Sequence, residues 1–251
     1  MGTFTSEGIV INRLKYLESD LIVTILSKDH GKIKAMVKGG ANSRKRFPGA
    51  FETGNIGEFG FVEKNPYQIA YVAHATIDDY LIRLKKDYEK TLLLIYLSGL
   101  TDVMTPERQS SQVLFSALSD TVRFLEDSKQ LSQARLFYEL QLLRINGLLH
   151  VVGRCELCKE PFRSGDDVHL VVASGRFVCH ACVPNDGKVC RIPLALLTLI
   201  KSAAHHDIYL NGLSGMEIPS ALFGFTRRII TSYIDKPLKL WDMIDTLLLY
   251  E

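Results

Sequence analysis

The sequence predicts an α+β chain: a small β-barrel first, then a helical domain that carries an inserted cysteine module. Three observations predict it. Up to about residue 80 the chain is rich in β-branched and aromatic residues punctuated by glycine, which favours short strands and turns. Beyond Tyr80 the apolar residues recur at helical spacing. Between Cys155 and Cys182 stand two C-x-x-C pairs separated by twenty residues.

Strands are expected over 8–16, 21–27, 32–38, 55–63 and 68–76, with Asp29-His30-Gly31 and Asn65-Pro66 as turns. Five strands in about seventy residues can close into a barrel of the OB type, a frequent binder of oligonucleotides. The boundary falls at residue 80, giving a barrel domain over 1–80 and a helical domain over 81–251. No linker rich in proline or glycine separates them, so the two are expected to pack.

In the third strand Ile33, Ala35 and Val37 face one side, while Lys32, Lys34, Met36 and Lys38 face the other. The first set suits a barrel core. The second spaces lysines about 6.6 Å apart, comparable with alternate phosphates of a nucleic-acid strand rising about 3.4 Å each. The loop that follows ends in Arg44, Lys45 and Arg46, so 28–46 holds seven basic residues and one acid, Asp29. Contiguity of ladder and loop points to nucleic acid, whereas a single Lys-x-Lys would only protect an exposed strand. The net charge of +2 makes no such argument by itself.

The first helix runs from Leu81, Leu84, Tyr88, Leu92 and Ile95 to near Met104. Thr105-Pro106 supplies an N-cap and first-turn proline for a second, and a third spans 131–145 with Asn146-Gly147 as its stop. Later helices are expected over 193–206, 218–234 and 240–249. No run of eighteen apolar residues occurs, so no membrane span is expected.

The cysteine module occupies about 153–184, with a hairpin between its knuckles, as zinc ribbons have. Two C-x-x-C loops place Cys155, Cys158, Cys179 and Cys182 around one tetrahedral ion, read as one structural Zn²⁺ because four protein ligands leave no open position. Redox-active C-x-x-C pairs are the rival, but that chemistry wants a helix start in a βαβ unit. Cys190 is spare, and His180, inside a knuckle, points outward. Paired cysteines without a charged and apolar leader fit a reducing cytoplasm. Motifs for nucleotide hydrolysis, zinc proteolysis, deamination and serine hydrolysis are missing from the sequence, so a non-enzymatic role is expected.

Residues 7–10, 21–26 and 30–39, together with Phe137-Tyr138-Glu139-Leu140-Gln141-Leu142-Leu143 leading into Cys155-x-x-Cys158, resemble the RecO family of bacterial recombination mediators. The resemblance covers about 7–249 and weakens after Lys201. It implies an OB barrel that binds single- and double-stranded DNA and anneals complementary strands. It also implies action at the nucleoid with RecR and single-stranded-DNA-binding protein to load RecA, without nucleotide hydrolysis. Lys32, Lys34 and Lys38 carry over as DNA contacts; Gly40-Ala41-Asn42-Ser43 displaces Arg44, Lys45 and Arg46 from the family's spacing. The acidic, phenylalanine-ended tail of single-stranded-DNA-binding protein is assigned to Arg123 and Arg135 on the helical domain. The alternative is a zinc-stabilised scaffold whose barrel binds RNA or protein.

Overall fold

The computed structural model describes residues 2–244 except 44, 64, 66–67, 150–152, 164–165, 186–187, 194–195, 199, 201–209, 214, 235–240 and 242. The chain divides into two compact units, Met1–Lys129 and Gln130–Glu251.

The first unit opens with β1 (Gly2–Tyr16), β2 (Asp20–Ser27), β3 (Gly31–Val37), β4 (Ile56–Glu63) and β5 (Ala70–Asp79). They close into a barrel in the order β1-β2-β3-β5-β4, with β3 and β5 parallel and the other pairs antiparallel. The core holds Val23, Ile25, Ile33, Ala35 and Val37 from the inward positions of β2 and β3, with Phe59 and Phe61 of β4 and Val72 of β5. Phe47 and Phe51 from the β3–β4 connection complete it, their rings 5.2 Å apart. An alternating pattern on half-buried strands thus produces the OB-type barrel.

The long helix expected from Leu81 is two helices, α1 (Ile82–Lys86) and α2 (Tyr88–Met104). Asp87 breaks it: its backbone is extended, and its carboxylate accepts from the N–H groups of Glu89 and Lys90 as the N-cap of α2. The next helix, α3 (Gln112–Asp127), begins six residues beyond the expected Pro106. Ser111 caps it by accepting from Leu114 N–H at 3.2 Å, and the intervening segment lies against β3, where Arg108 N–H donates to Lys32 O at 3.0 Å. Gly31, at φ +69°, lets the backbone of Gln109 approach where a Cβ would collide. All three helices belong to the barrel's compact unit.

In the second unit α4 (Leu131–Ile145) ends where the sequence predicts: Gly147 takes φ +68°, and Leu148 N–H donates to Leu143 O at 2.8 Å. The cysteine module contains β6 (Val168–Val171) and β7 (Arg176–Cys179), the expected hairpin, and gains β8 (Val189–Ile192) as a third antiparallel strand on the other edge of β6. Cys190 lies on β8 opposite Leu170. A later helix, α5 (Ser220–Tyr233), falls within the expected 218–234. Most of the helices expected over 193–206 and 240–249 lies outside the described residues.

Candidate nucleic-acid interface and metal centre

The lysines of β3 do not form one exposed ladder. Alternation holds, but Lys32 is only 6% exposed. The end of α2 covers the outer side of the strand there, and the Lys32 ammonium donates to the Asp102 carbonyl and to its carboxylate Oδ1, the latter at 3.1 Å. That carbonyl is among the last of α2, where a cation meets both an unsatisfied acceptor and the negative end of the helix dipole. The reading of Lys32 as a phosphate contact is therefore corrected: in this fold its ammonium ties strand to helix.

Lys34 and Lys38 stay exposed. Lys34 pairs with Glu107 at 2.7 Å, and this contact holds its pKa above the ordinary value. Both partners are about half exposed, 48% and 49%, so the pair is worth little in water and can be exchanged for another anion. The Lys38 ammonium lies 5.4 Å from the centre of the Tyr71 ring. Lys45 and Arg46 are exposed on the β3–β4 loop. The Arg46 guanidinium sits 4.7 Å from the Phe47 ring and donates to Ala73 O at 2.8 Å, which anchors the loop against β5. Arg44 lies outside the described residues. Lys34 on the strand, Lys38 in the turn that ends it, and Lys45 and Arg46 further along the loop are thus four exposed cations.

Neither arginine assigned to a partner tail is a free surface cation. Arg135 is completely buried: its Nε donates to Glu139 Oε1 at 2.7 Å, and its guanidinium lies 4.3 Å from the Phe223 ring. Thr226 of α5 donates to the other Glu139 oxygen. The placement of Arg135 at a surface is corrected, because helical periodicity does not say which polar position a neighbouring helix will cover. Arg123 is half exposed and 3.8 Å from Asp79.

The four cysteines come together as expected, with all sulfurs within 4.8 Å of one another. Cys155 is buried on a tight loop in which Lys159 N–H donates to Cys155 O at 2.9 Å and Cys155 N–H to Glu160 O at 2.8 Å. Glu156 stitches this loop to β7 twice: its N–H donates to Phe177 O at 3.0 Å, and its carboxylate accepts from Phe177 N–H at 3.0 Å. Cys179 ends β7, and a single 3-10 turn, His180–Cys182, returns Cys182 to the cluster.

Cys158 and Cys179 sulfurs are 3.8 Å apart. A tetrahedron with metal–sulfur bonds of about 2.3 Å has edges of about 3.8 Å, so the donor set has the size of a tetrathiolate site. Burial pushes the Cys155 thiol up, but the backbone N–H groups of Cys179, Cys158 and Leu157 outweigh it and bring it to about 6. Cys182, sharing protons with Cys179 and Cys158, is pushed up to about 12. Four sulfurs at this spacing cannot all be thiolates without a cation among them, which a divalent metal ion would supply. The module is fastened to α5: Arg228 donates to the Val172 and Ala173 carbonyls at 2.6 Å, and Phe177 meets Phe225 edge-on at 5.1 Å.

The described residues thus combine an OB-type barrel bearing exposed cations with helices and a four-cysteine ribbon. The family profile described as "Recombination protein O N terminal" matches residues 1–80, and "Recombination protein O C terminal" matches 85–242. The chain belongs to this family, RecO. It is 26% identical to the DNA repair protein RecO of Syntrophus aciditrophicus over 97% of this chain and 96% of the relative. It is 30% identical to that of Pelobacter propionicus over 86% and 87%, and 23% identical to that of Listeria monocytogenes over 92% and 88%.

Arg13 and Lys15 carry no signal in the sequence. Two basic residues at alternate positions of β1 look like an ordinary solvated face, and nothing in their spacing reports the register shift between Val10 and Asn12 in the pairing of β1 with β2.

Proposed function

We propose that the protein is a DNA-binding recombination mediator, without catalytic chemistry, that binds single- and double-stranded DNA and anneals complementary strands. With RecR it helps load RecA onto DNA coated by single-stranded-DNA-binding protein, acting in the cytoplasm at the nucleoid. Family membership supports the pathway. The observation that carries the binding reading is the set of exposed cations Lys34, Lys38, Lys45 and Arg46 on β3 and the loop after it. They are point charges and a guanidinium suited to phosphates, with no demand for a base sequence. Arg44 joins them by its place in the sequence, and Lys32 serves the fold instead.

The metal is Zn²⁺, one per chain, held by Cys155, Cys158, Cys179 and Cys182. All four positions are protein thiolates, so its contribution is structural. The division into a barrel domain over 1–80 and a helical domain over 81–251 describes how family segments and roles are parcelled. The site for the tail of single-stranded-DNA-binding protein retains only Arg123 of the two arginines assigned to it.

Titration of a fluorescent single-stranded oligonucleotide at two salt concentrations, with an annealing assay, tests this reading. Binding that weakens steeply with salt, and faster pairing of complementary strands, are expected. No binding at low salt would overturn it. It would leave a scaffold for protein, which the exposed apolar side chains Leu14, Tyr16 and Leu17 would then serve.

A further inference from the structure

β1 carries an irregularity that moves two cations to the wrong side of the sheet. Val10 pairs with Ile25 and Asn12 with Thr24, so Ile11 is an extra residue with no partner on β2. On its other edge β1 stays in register with the chain entering β4: Val10 N–H donates to Asn55 O at 3.0 Å, and Gly54 N–H donates to Val10 O at 2.8 Å. One inserted residue exchanges the faces of everything after it. Without it, Leu14 and Tyr16 would follow Val10 into the barrel, and Arg13 and Lys15 would face water. With it, Arg13 stands opposite Val23 and Lys15 opposite Leu21, both core residues, while Leu14 and Tyr16 are left 58% and 42% exposed.

The two redirected cations line a cavity of about 350 Å³ together with Gly40, Ser43, Gly49 and the nearly buried Phe47 and Phe51. None of its lining residues is acidic, and no ion pair of Arg13 or Lys15 occurs among the described residues. The Ser43 oxygen accepts from Phe47 N–H at 2.9 Å, which leaves its hydroxyl proton to donate. Lys45 and Arg46 are exposed on the same loop as Ser43 and Phe47. Bulges commonly re-aim side chains at functional sites.

We propose that this cavity binds a nucleoside phosphomonoester, with the phosphate on Arg13 and Lys15 and the base toward Phe47 and Phe51. Its volume, at the lower end of small-ligand pockets, suits one nucleotide and not two. A phosphomonoester carries nearly two negative charges at pH 7, whereas each phosphodiester of a chain carries one. Two cations with no carboxylate between them match the former, and arginine adds a bidentate grip. The ligand is either the phosphorylated end of a DNA strand or a free nucleotide. This deepens the DNA-binding reading, and rests on it only for the strand end.

The test compares single-stranded oligonucleotides of one sequence bearing a 5′-phosphate, a 3′-phosphate or no terminal phosphate. Displacement by thymidine monophosphate is measured alongside. A terminal phosphate should tighten binding about tenfold, the size of one charge-assisted hydrogen bond. The double substitution Arg13→Gln and Lys15→Gln should abolish that preference while the unphosphorylated strand still binds through Lys34, Lys38, Lys45 and Arg46. Both residues are exposed, so an unchanged melting temperature is expected as the control for folding.

Calorimetric binding of thymidine monophosphate that the double substitution abolishes, without a strand-end preference, assigns the site to free nucleotides. Equal binding of all three strands together with no nucleotide binding overturns the proposal, and so does a preference that survives the double substitution. In that case the two side chains only cap the barrel's end with their stems. Should the protein bind no DNA at all, the DNA reading fails, and direct calorimetry with thymidine monophosphate still decides the cavity.

Discussion

Single residues show how often a charge in this chain serves the fold. Arg135 and Glu139 form a buried pair whose carboxylate is completed by Thr226, joining α4 to α5. Removing one member strands the other in a medium that solvates it poorly, so Glu139→Ala should cost about 3–5 kcal/mol in chemical denaturation. Replacing Arg135 and Glu139 together by apolar residues should recover most of that loss. Glu126 holds α1 in place, accepting from Leu84 N–H at 2.7 Å and Arg83 N–H at 2.9 Å. Burial pushes its carboxyl up, but those two N–H groups and the Arg83 guanidinium outweigh burial and hold it below the ordinary 4.5. A carboxylate with a depressed folded pKa stabilises fully above its unfolded pKa and loses that contribution as pH falls through the folded one. Glu126→Gln should therefore lower the melting temperature at pH 7, and the difference from the parent protein should shrink as pH falls below about 4.5.

At the scale of elements, the ribbon and the third strand carry separate predictions. Three short strands of four residues each cannot bury much surface, and the four sulfurs bring both knuckles of the module to one point. Metal analysis should find one zinc per chain, and Cys155→Ser should release it and lower the melting temperature. A metal-free protein of unchanged stability would contradict a structural ion. On β3 the exposed and buried lysines should behave differently. Alanine at Lys34, Lys38, Lys45 and Arg46 should flatten the slope of log affinity against log salt by about 0.7 for each phosphate no longer neutralised. Lys32→Ala should leave that slope alone and instead loosen the strand–helix tie, costing about 1–3 kcal/mol.

For the molecule as a whole, the pattern of period two giving way to period 3.6 was enough to place a barrel before helices, and the cysteine spacing was enough to bring four sulfurs together. Both are local signals. A strand's alternation and a knuckle's turn are set by neighbours in sequence, so they survive whatever the rest of the chain does. Burial is different, because it depends on which distant segment arrives. Lys32 and Lys38 are equivalent on a strand diagram, yet α2 covers one and leaves the other in water. Arg135 reads as a helix charge and lies wholly buried between α4 and α5. The bulge at Ile11 shows only in the pairing of β1 with β2, and it turns Arg13 and Lys15 to the side of Val23 and Leu21. The sequence by itself determined the barrel, the order of its parts and the meeting of the four cysteines, since each rests on short-range periodicity or spacing. The tertiary structure alone decided which cations face solvent, because desolvation is a property of the packed neighbourhood and not of the residue.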